Sequence, residues 1–184
     1  MTDLRVIKTK KAILRTLNEL LRLKPIAKIT VTELAIAAEI NKATFYLHYK
    51  DIFDVYQHAL NQHLAKIANN LPFLDEFSTE PEKFADHLID ISFNRQLFQN
   101  DPYLTDANSP YNRSGIEIFS DALADAILAT NQLPNTRAVK LRLEYLFSGI
   151  GTLIRFREAD DSDEVKLILL TGIRSQFRRL PYAN

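Results

Sequence analysis

Apolar residues recur at spacings of three and four along almost the whole chain, and that period predicts helices nearly throughout. A first helix is expected over Leu4 to Leu23, with Ile7, Leu14, Leu17 and Leu21 on one face and Lys8, Lys11 and Arg15 elsewhere. Pro25 ends it. Thr30 followed by Glu33 reads as a capping box, in which each side chain satisfies an orphan backbone donor of a second helix. Leu34, Ala35 and Ala38 give that helix a small apolar face. Asn41 is a good cap for a third, short helix, whose Phe45 and Tyr49 lie four apart and face inward. Asp51 caps a fourth, with Asp54 in its positive first turn and Ile52, Phe53, Val55, Tyr56, Leu60, Leu64 and Ile67 carrying it to Pro72.

Beyond Pro72, the stretch PFLDEFSTEP reads as an acidic linker bounded by prolines, and residues 100–115 read as a polar loop. Four further helices are expected: Glu82 to Gln99, Ile116 to Asn131, Thr136 to Glu158, and Glu164 to Arg178. The third of these is the most apolar and contains Gly149 and Gly151, each costing about 1 kcal/mol of helix propensity against alanine. Glycines there imply that something packs closely.

Two short helices joined by a tight turn, Thr30 to Lys50, are a means of placing one helix in the major groove of DNA. Lys42, Thr44, Tyr46 and His48 are then the groove-facing candidates. Thr44 carries a hydroxyl for a base edge or phosphate, Lys42 a charge in the first turn, and Tyr46 a hydroxyl for the backbone. Thr32, at the start of the second helix, and Lys50, beside the amide end of the fourth, are candidate phosphate contacts. The alternatives are bland: a packing threonine, a bracing tyrosine, a lysine exposed by default. Only the shared spacing sets the group apart.

Charge changes the picture more than composition does. The formal net charge of the 184 residues is zero, yet residues 1–50 carry ten Lys or Arg against four Asp or Glu. The remainder carries the opposite excess, and a basic head on an acidic body is an electrostatic footprint for nucleic acid. At 46% hydrophobic and 25% charged residues, the chain should fold as a soluble globule. With no cysteine, a disulfide scaffold and thiolate chemistry are excluded. The start, MTDLRVIKTKK, lacks the long apolar core of a secretory leader, no run is suited to span a membrane, and a cytoplasmic location is expected. No dinucleotide-binding, P-loop or zinc-protease motif occurs. The four histidines, His48, His58, His63 and His87, form no tight ligand set, so neither a metal, a cofactor nor an enzyme is expected.

The stretch TVTELAIAAEINKATFYLHYKDIFDVY resembles the N-terminal domain of the tetracycline-repressor (TetR/AcrR) family of transcriptional regulators. The match runs through Thr30 and Val31, Leu34 and Ala35, Ala38 to Asn41, Ala43 to Tyr49, and Lys50 to Val55. LIDISFNRQLF further resembles a small-bodied branch related to regulators beside dihydroxyacetone kinase genes. The resemblance implies an all-α fold. A three-helix, helix-turn-helix DNA-binding domain would occupy residues 1–50, and a connecting helix residues 51–71. A helical effector-binding and dimerisation domain would occupy 72–184. It adds Ala43 to the recognition-helix contacts. It also implies a homodimer on a palindromic operator, acting as a repressor, with a four-helix interface from the last two helices. Val139, Leu143, Leu146, Gly149, Ile150, Leu153, Val165, Ile168, Leu169, Ile173 and Phe177 are the interface candidates. The family's turn glycine falls at Glu39, where a left-handed backbone would strain a glutamate by about 1 kcal/mol. Its lysine near the start of the fourth helix falls at Ile52.

The effector is not legible. Phe84, Leu88, Phe98, Phe119, Leu123, Phe147 and Arg155 are conceivable pocket residues, each of which reads more readily as plain core. Two other functions stay open: a regulator controlled by a protein partner with no small-molecule pocket, and a helical interaction module that binds no DNA.

Overall fold

The computed structural model describes residues 4–93, 101–103, 111–131, 133–156 and 158–177, without the side chains of 111–114 and 159. The described residues are helical and loop, with no strand. In order they form α1 (Leu4–Leu21), a 3-10 turn (Ile26–Lys28), α2 (Val31–Ala37), α3 (Lys42–Tyr46) and α4 (Ile52–Asn69). Then come α5 (Glu76–Thr79), α6 (Pro81–Phe93), α7 (Tyr111–Thr130), α8 (Arg137–Phe156), a second 3-10 turn (Ala159–Asp161) and α9 (Ser162–Phe177). The chain divides into two compact units, residues 1–63 with 100–107 and residues 64–99 with 108–184, so the boundary falls inside α4.

In the first unit, α1 buries Ile13, Leu17 and Leu21 with Thr16 between them. This face is rotated from the expected one, since Ile7 is exposed and Leu14 only half-buried. Leu34, Ala35 and Ala38 of the α2 segment and Phe45 and Tyr49 of the α3 segment complete a small core, as the spacing predicts. Residues 101–103 belong to the same unit. The Tyr56 hydroxyl donates to the Tyr103 carbonyl at 2.7 Å, and His63 Nε2 lies 2.5 Å from Asp101 Oδ2. The Tyr103 N–H donates to the other Asp101 oxygen at 2.9 Å.

In the second unit, α7 packs along α8, α6 along α9, and α8 along α9. The core is aromatic at its centre. Phe77 meets Phe84 edge-on at 5.3 Å and Phe177 at 5.2 Å, with Phe147 6.1 Å away. Residues 72–81, expected as a linker, therefore belong to the core: Phe73, Leu74 and Phe77 are all buried. Asn131 clips this segment to the end of α7. Its amide donates to the Leu74 and Ile127 carbonyls at 2.8 and 3.1 Å, and its carbonyl accepts from the Ser78 N–H at 3.2 Å. The expected loop to residue 115 is also shorter, because α7 begins at Tyr111. A Cβ on Gly151 would sit 2.6 Å from Ile116 Cγ2, so this glycine lets α7 and α8 approach closely. Gly172 does the same for α8 and α9 against Leu146, whereas Gly149 faces open space.

Candidate nucleic-acid interface

The geometry of the α2–α3 pair follows from its caps. Thr30 Oγ1 accepts from the Glu33 N–H at 3.2 Å and starts α2. Only this half of the expected capping box forms among the described contacts. The Glu33 carboxylate instead takes the Lys24 ammonium at 2.6 Å, tying α2 to the end of the α1 segment. At the other end of α2, the Glu39 N–H donates to the Ile36 carbonyl at 3.1 Å and the Ile40 N–H to the Ala35 carbonyl at 3.0 Å. That bond pair is the Schellman closure, which requires a left-handed residue between helix and exit. Glu39 supplies it at φ 55°, and it is the one non-glycine residue at positive φ among those described. The expected strain is thus present, at the position where the resembling family places glycine.

Two residues later Asn41 opens α3. Its Oδ1 accepts from the Thr44 N–H at 2.7 Å and from the Thr44 hydroxyl at 2.9 Å. Phe45 is fully buried and meets Tyr49 at 5.9 Å and Tyr46 edge-on at 5.4 Å. With Phe45 as the anchor, the opposite face is turned outward. Lys42 and Ala43 are exposed, Tyr46 is 56% and Leu47 80% exposed, and Thr44 and His48 are half-buried. Thr32 and Lys50 are exposed as well. Leu47 was missed by the sequence reading. An apolar residue beside a tyrosine on a capped five-residue helix was the available signal.

The N-terminus of α4 differs from expectation in its chemistry. Asp51 Oδ1 accepts from both the Phe53 and Asp54 N–H groups at 2.8 Å, and Asp54 Oδ2 accepts from the Lys50 N–H at 2.9 Å. Two of the amides expected to clamp a phosphate, those of Phe53 and Asp54, are already held by the Asp51 carboxylate. The side chain of Lys50 is exposed and available for that role. Behind the interface, Tyr49 is buried with no hydrogen-bond partner for its hydroxyl among the described residues, and Lys10 lies over its ring at 5.9 Å. Burial, reinforced by the nearby Asp54 charge, raises the Tyr49 pKa above its ordinary value.

The other expected residues fall elsewhere. Phe84, Leu88, Leu123 and Phe147 are buried in the second unit's core, and Phe119 packs against it. Arg155 is exposed beside the Phe156 ring, and Phe98 lies outside the described residues. Phe84, Leu88, Leu123 and Phe147 fill the interior, and none of the described candidates lines the described cleft. The described cleft, of about 370 Å³, is lined by Phe77, Ser78, Pro81, Glu82, Leu133, Ile173, Arg174 and Phe177. Of the interface candidates, Val139, Leu143, Leu146, Ile150, Val165, Leu169, Ile173 and Phe177 are buried within the chain itself. Gly149, Leu153 and Ile168 face outward, in company with Leu141, Tyr145, Phe156 and Leu167.

No family model and no curated protein matches the chain. Among solved structures, it is similar to the dihydroxyacetone kinase operon activator DhaS, at 16% identity and a TM-score of 0.46, over 91% of this chain and 97% of that one. It is also similar to a protein described as a TetR-family transcriptional regulator from Mesorhizobium loti MAFF303099. There the identity is 12% and the TM-score 0.45, over 96% of this chain and 98% of that one.

Proposed function

We propose that the protein is a sequence-specific, DNA-binding transcriptional regulator that acts as a homodimer and represses by occupying a palindromic operator. The observation that carries this reading is the outward face of α3. A helix of five residues is fixed by the Asn41 cap and the buried Phe45, and presents Lys42, Ala43, Thr44, Tyr46 and Leu47 together. A short helix held this rigidly, with a cation, a phenol and small side chains on its free face, suits a major groove. Lys8, Lys11, Lys28 and Lys50 are also exposed on this unit and supply positive charge for the phosphate backbone.

The dimer in this proposal uses the outer face of α8 and α9 rather than the inner residues. Leu141, Tyr145, Gly149, Leu153 and Phe156 fall at spacings of three and four along α8, and Leu167 and Ile168 continue the apolar surface on α9. Solvent-exposed apolar residues on two packed helices form a self-complementary patch suited to a two-fold interface. Operator affinity is modulated by an effector that prefers one form of the dimer.

The test is selection of genomic fragments by the purified protein, followed by footprinting. Two protected half-sites about one helical turn or more apart are expected, with affinity falling steeply as salt rises. Binding to no fragment, even at low salt, refutes the reading and leaves a helical interaction module.

A further inference from the structure

The outermost line of α3 is apolar. A helix turns about 100° per residue, so Ala43 and Leu47 share the side that faces away from the buried Phe45. Both are exposed, Leu47 to 80%. Thr44 flanks this line on one side and Tyr46 on the other. The backbone beneath Leu47 is closed. Its own N–H donates to the Ala43 carbonyl at 3.1 Å, and the His48 and Tyr49 N–H groups donate to the Phe45 carbonyl at 2.9 and 3.1 Å. A leucine this exposed gains little from burial in its own chain, so its apolar surface is free for a partner.

The charges around it select that partner. Residues 40–50 carry Lys42 and Lys50, both exposed, and no carboxylate. Lysine is depleted at the cores of protein–protein interfaces, whereas the phosphates that line a major groove take it readily. On the floor of that groove, among hydrogen-bond donors and acceptors, the apolar group is the thymine 5-methyl. A leucine has no donor or acceptor to offer the rest. We propose that Leu47 is a specificity-determining residue that seats against a thymine methyl in each half-site, with Ala43 beside it small enough to let α3 approach. The operator then carries thymine at one fixed position of each half-site. This role rests on DNA binding by α3 and adds the base that the helix selects.

The experiment takes a genomic fragment that the full chain protects and replaces its thymines by deoxyuridine, one position at a time. Deoxyuridine keeps every pairing and hydrogen-bonding group and lacks only the methyl. Affinity is read by fluorescence anisotropy. One position in each half-site is expected to cost about fourfold, the worth of one buried methyl. Leu47→Ala keeps the circular dichroism of the unaltered protein, binds the operator more weakly, binds random duplex as before, and no longer responds at that position. Leu47→Met keeps an apolar reach and keeps the response. A flat scan, as expected of a leucine that docks a protein instead, overturns the proposal. So does a response that survives in Leu47→Ala, or an equal loss on operator and random duplex, which marks a contact with the DNA backbone. Binding to no duplex overturns the DNA-binding reading as well, whereas a tightly bound operator indifferent to every methyl overturns the role of Leu47 alone.

Discussion

At φ 55°, Glu39 occupies backbone territory in which its Cβ crowds the following carbonyl, and glycine does not. Glu39→Gly should therefore stabilise the protein by about 1 kcal/mol in urea unfolding, less what glycine loses to the freer unfolded chain. A destabilising result would mean that the turn relaxes to negative φ in solution. On the proposed DNA-binding face, Lys42→Ala should lower the slope of log affinity against log salt by about 1, as the loss of one phosphate contact does. Tyr46→Ala should weaken binding to all sequences alike, by roughly tenfold for a lost bond to a charged oxygen. Unchanged affinity in both would displace α3 from the groove. The buried phenols set an alkaline limit. Burial first, and then Asp54 for Tyr49 and Asp101 for Tyr103, raise both pKa values above the ordinary 10.0. A raised folded pKa gives stability that is whole below about pH 10 and lost as pH rises above it, because the unfolded phenols ionise first. A melting temperature that falls above pH 10 is expected, with a shallower fall in the Tyr49→Phe, Tyr103→Phe double variant.

At the level of helices, two glycines one turn-fraction apart should respond in opposite ways. Gly149→Ala adds a Cβ that meets nothing within its own chain and should gain about 1 kcal/mol of helix propensity, less whatever the proposed second copy gives up to accommodate it. Gly151→Ala drives a Cβ against Ile116, and overpacking of about 1–3 kcal/mol should outweigh the same gain. Equal effects in thermal unfolding would contradict the α7–α8 packing. The helices themselves were legible, because periodicity and caps such as Asn41 and Asp51 are local properties. The capping at Thr30 was legible only in half, since the partner of Glu33 is Lys24, nine residues back and across a turn. The segment around Phe77 was hidden by its prolines and acids, because burial of Phe73, Leu74 and Phe77 depends on α6 and α9, which close over it. Val139, Leu143 and Phe177 were legible as apolar positions, but periodicity does not say which apolar face the chain covers for itself. A filled interior and a cavity likewise read the same in sequence, which is why Phe84 and Phe147 stood as pocket candidates while the cleft lies beside Phe77 and Phe177.

For the molecule as a whole, the outward apolar residues of α8 and α9 and the charge split belong to one expectation. Tyr145→Asp or Leu167→Asp places a charge in the proposed two-fold interface and should convert dimer to monomer by light scattering, with the helical content kept. Operator binding by such a monomer should fall far more than half-site contacts alone predict, because the second half-site is no longer held at high effective concentration. A variant that stays dimeric would move the interface elsewhere. No helix among the described residues is long and apolar enough to cross a membrane.

Asp51, just before α4, and Asp54, on its first turn, bear on search as well as on grip. With the Phe53 and Asp54 amides taken by Asp51 and the Lys50 amide by Asp54, this helix end draws a phosphate less, and the two negative charges oppose one. On the proposed reading, that lowers affinity for every sequence alike while leaving the contacts of α3 in the groove intact. In a genome where arbitrary sites vastly outnumber the operator, occupancy follows the ratio of the two affinities rather than either one. On that reading the acidic end of α4 shortens the time spent on operator and arbitrary DNA alike and leaves their ratio unchanged, and Asp54→Asn should tighten binding to both by the same factor.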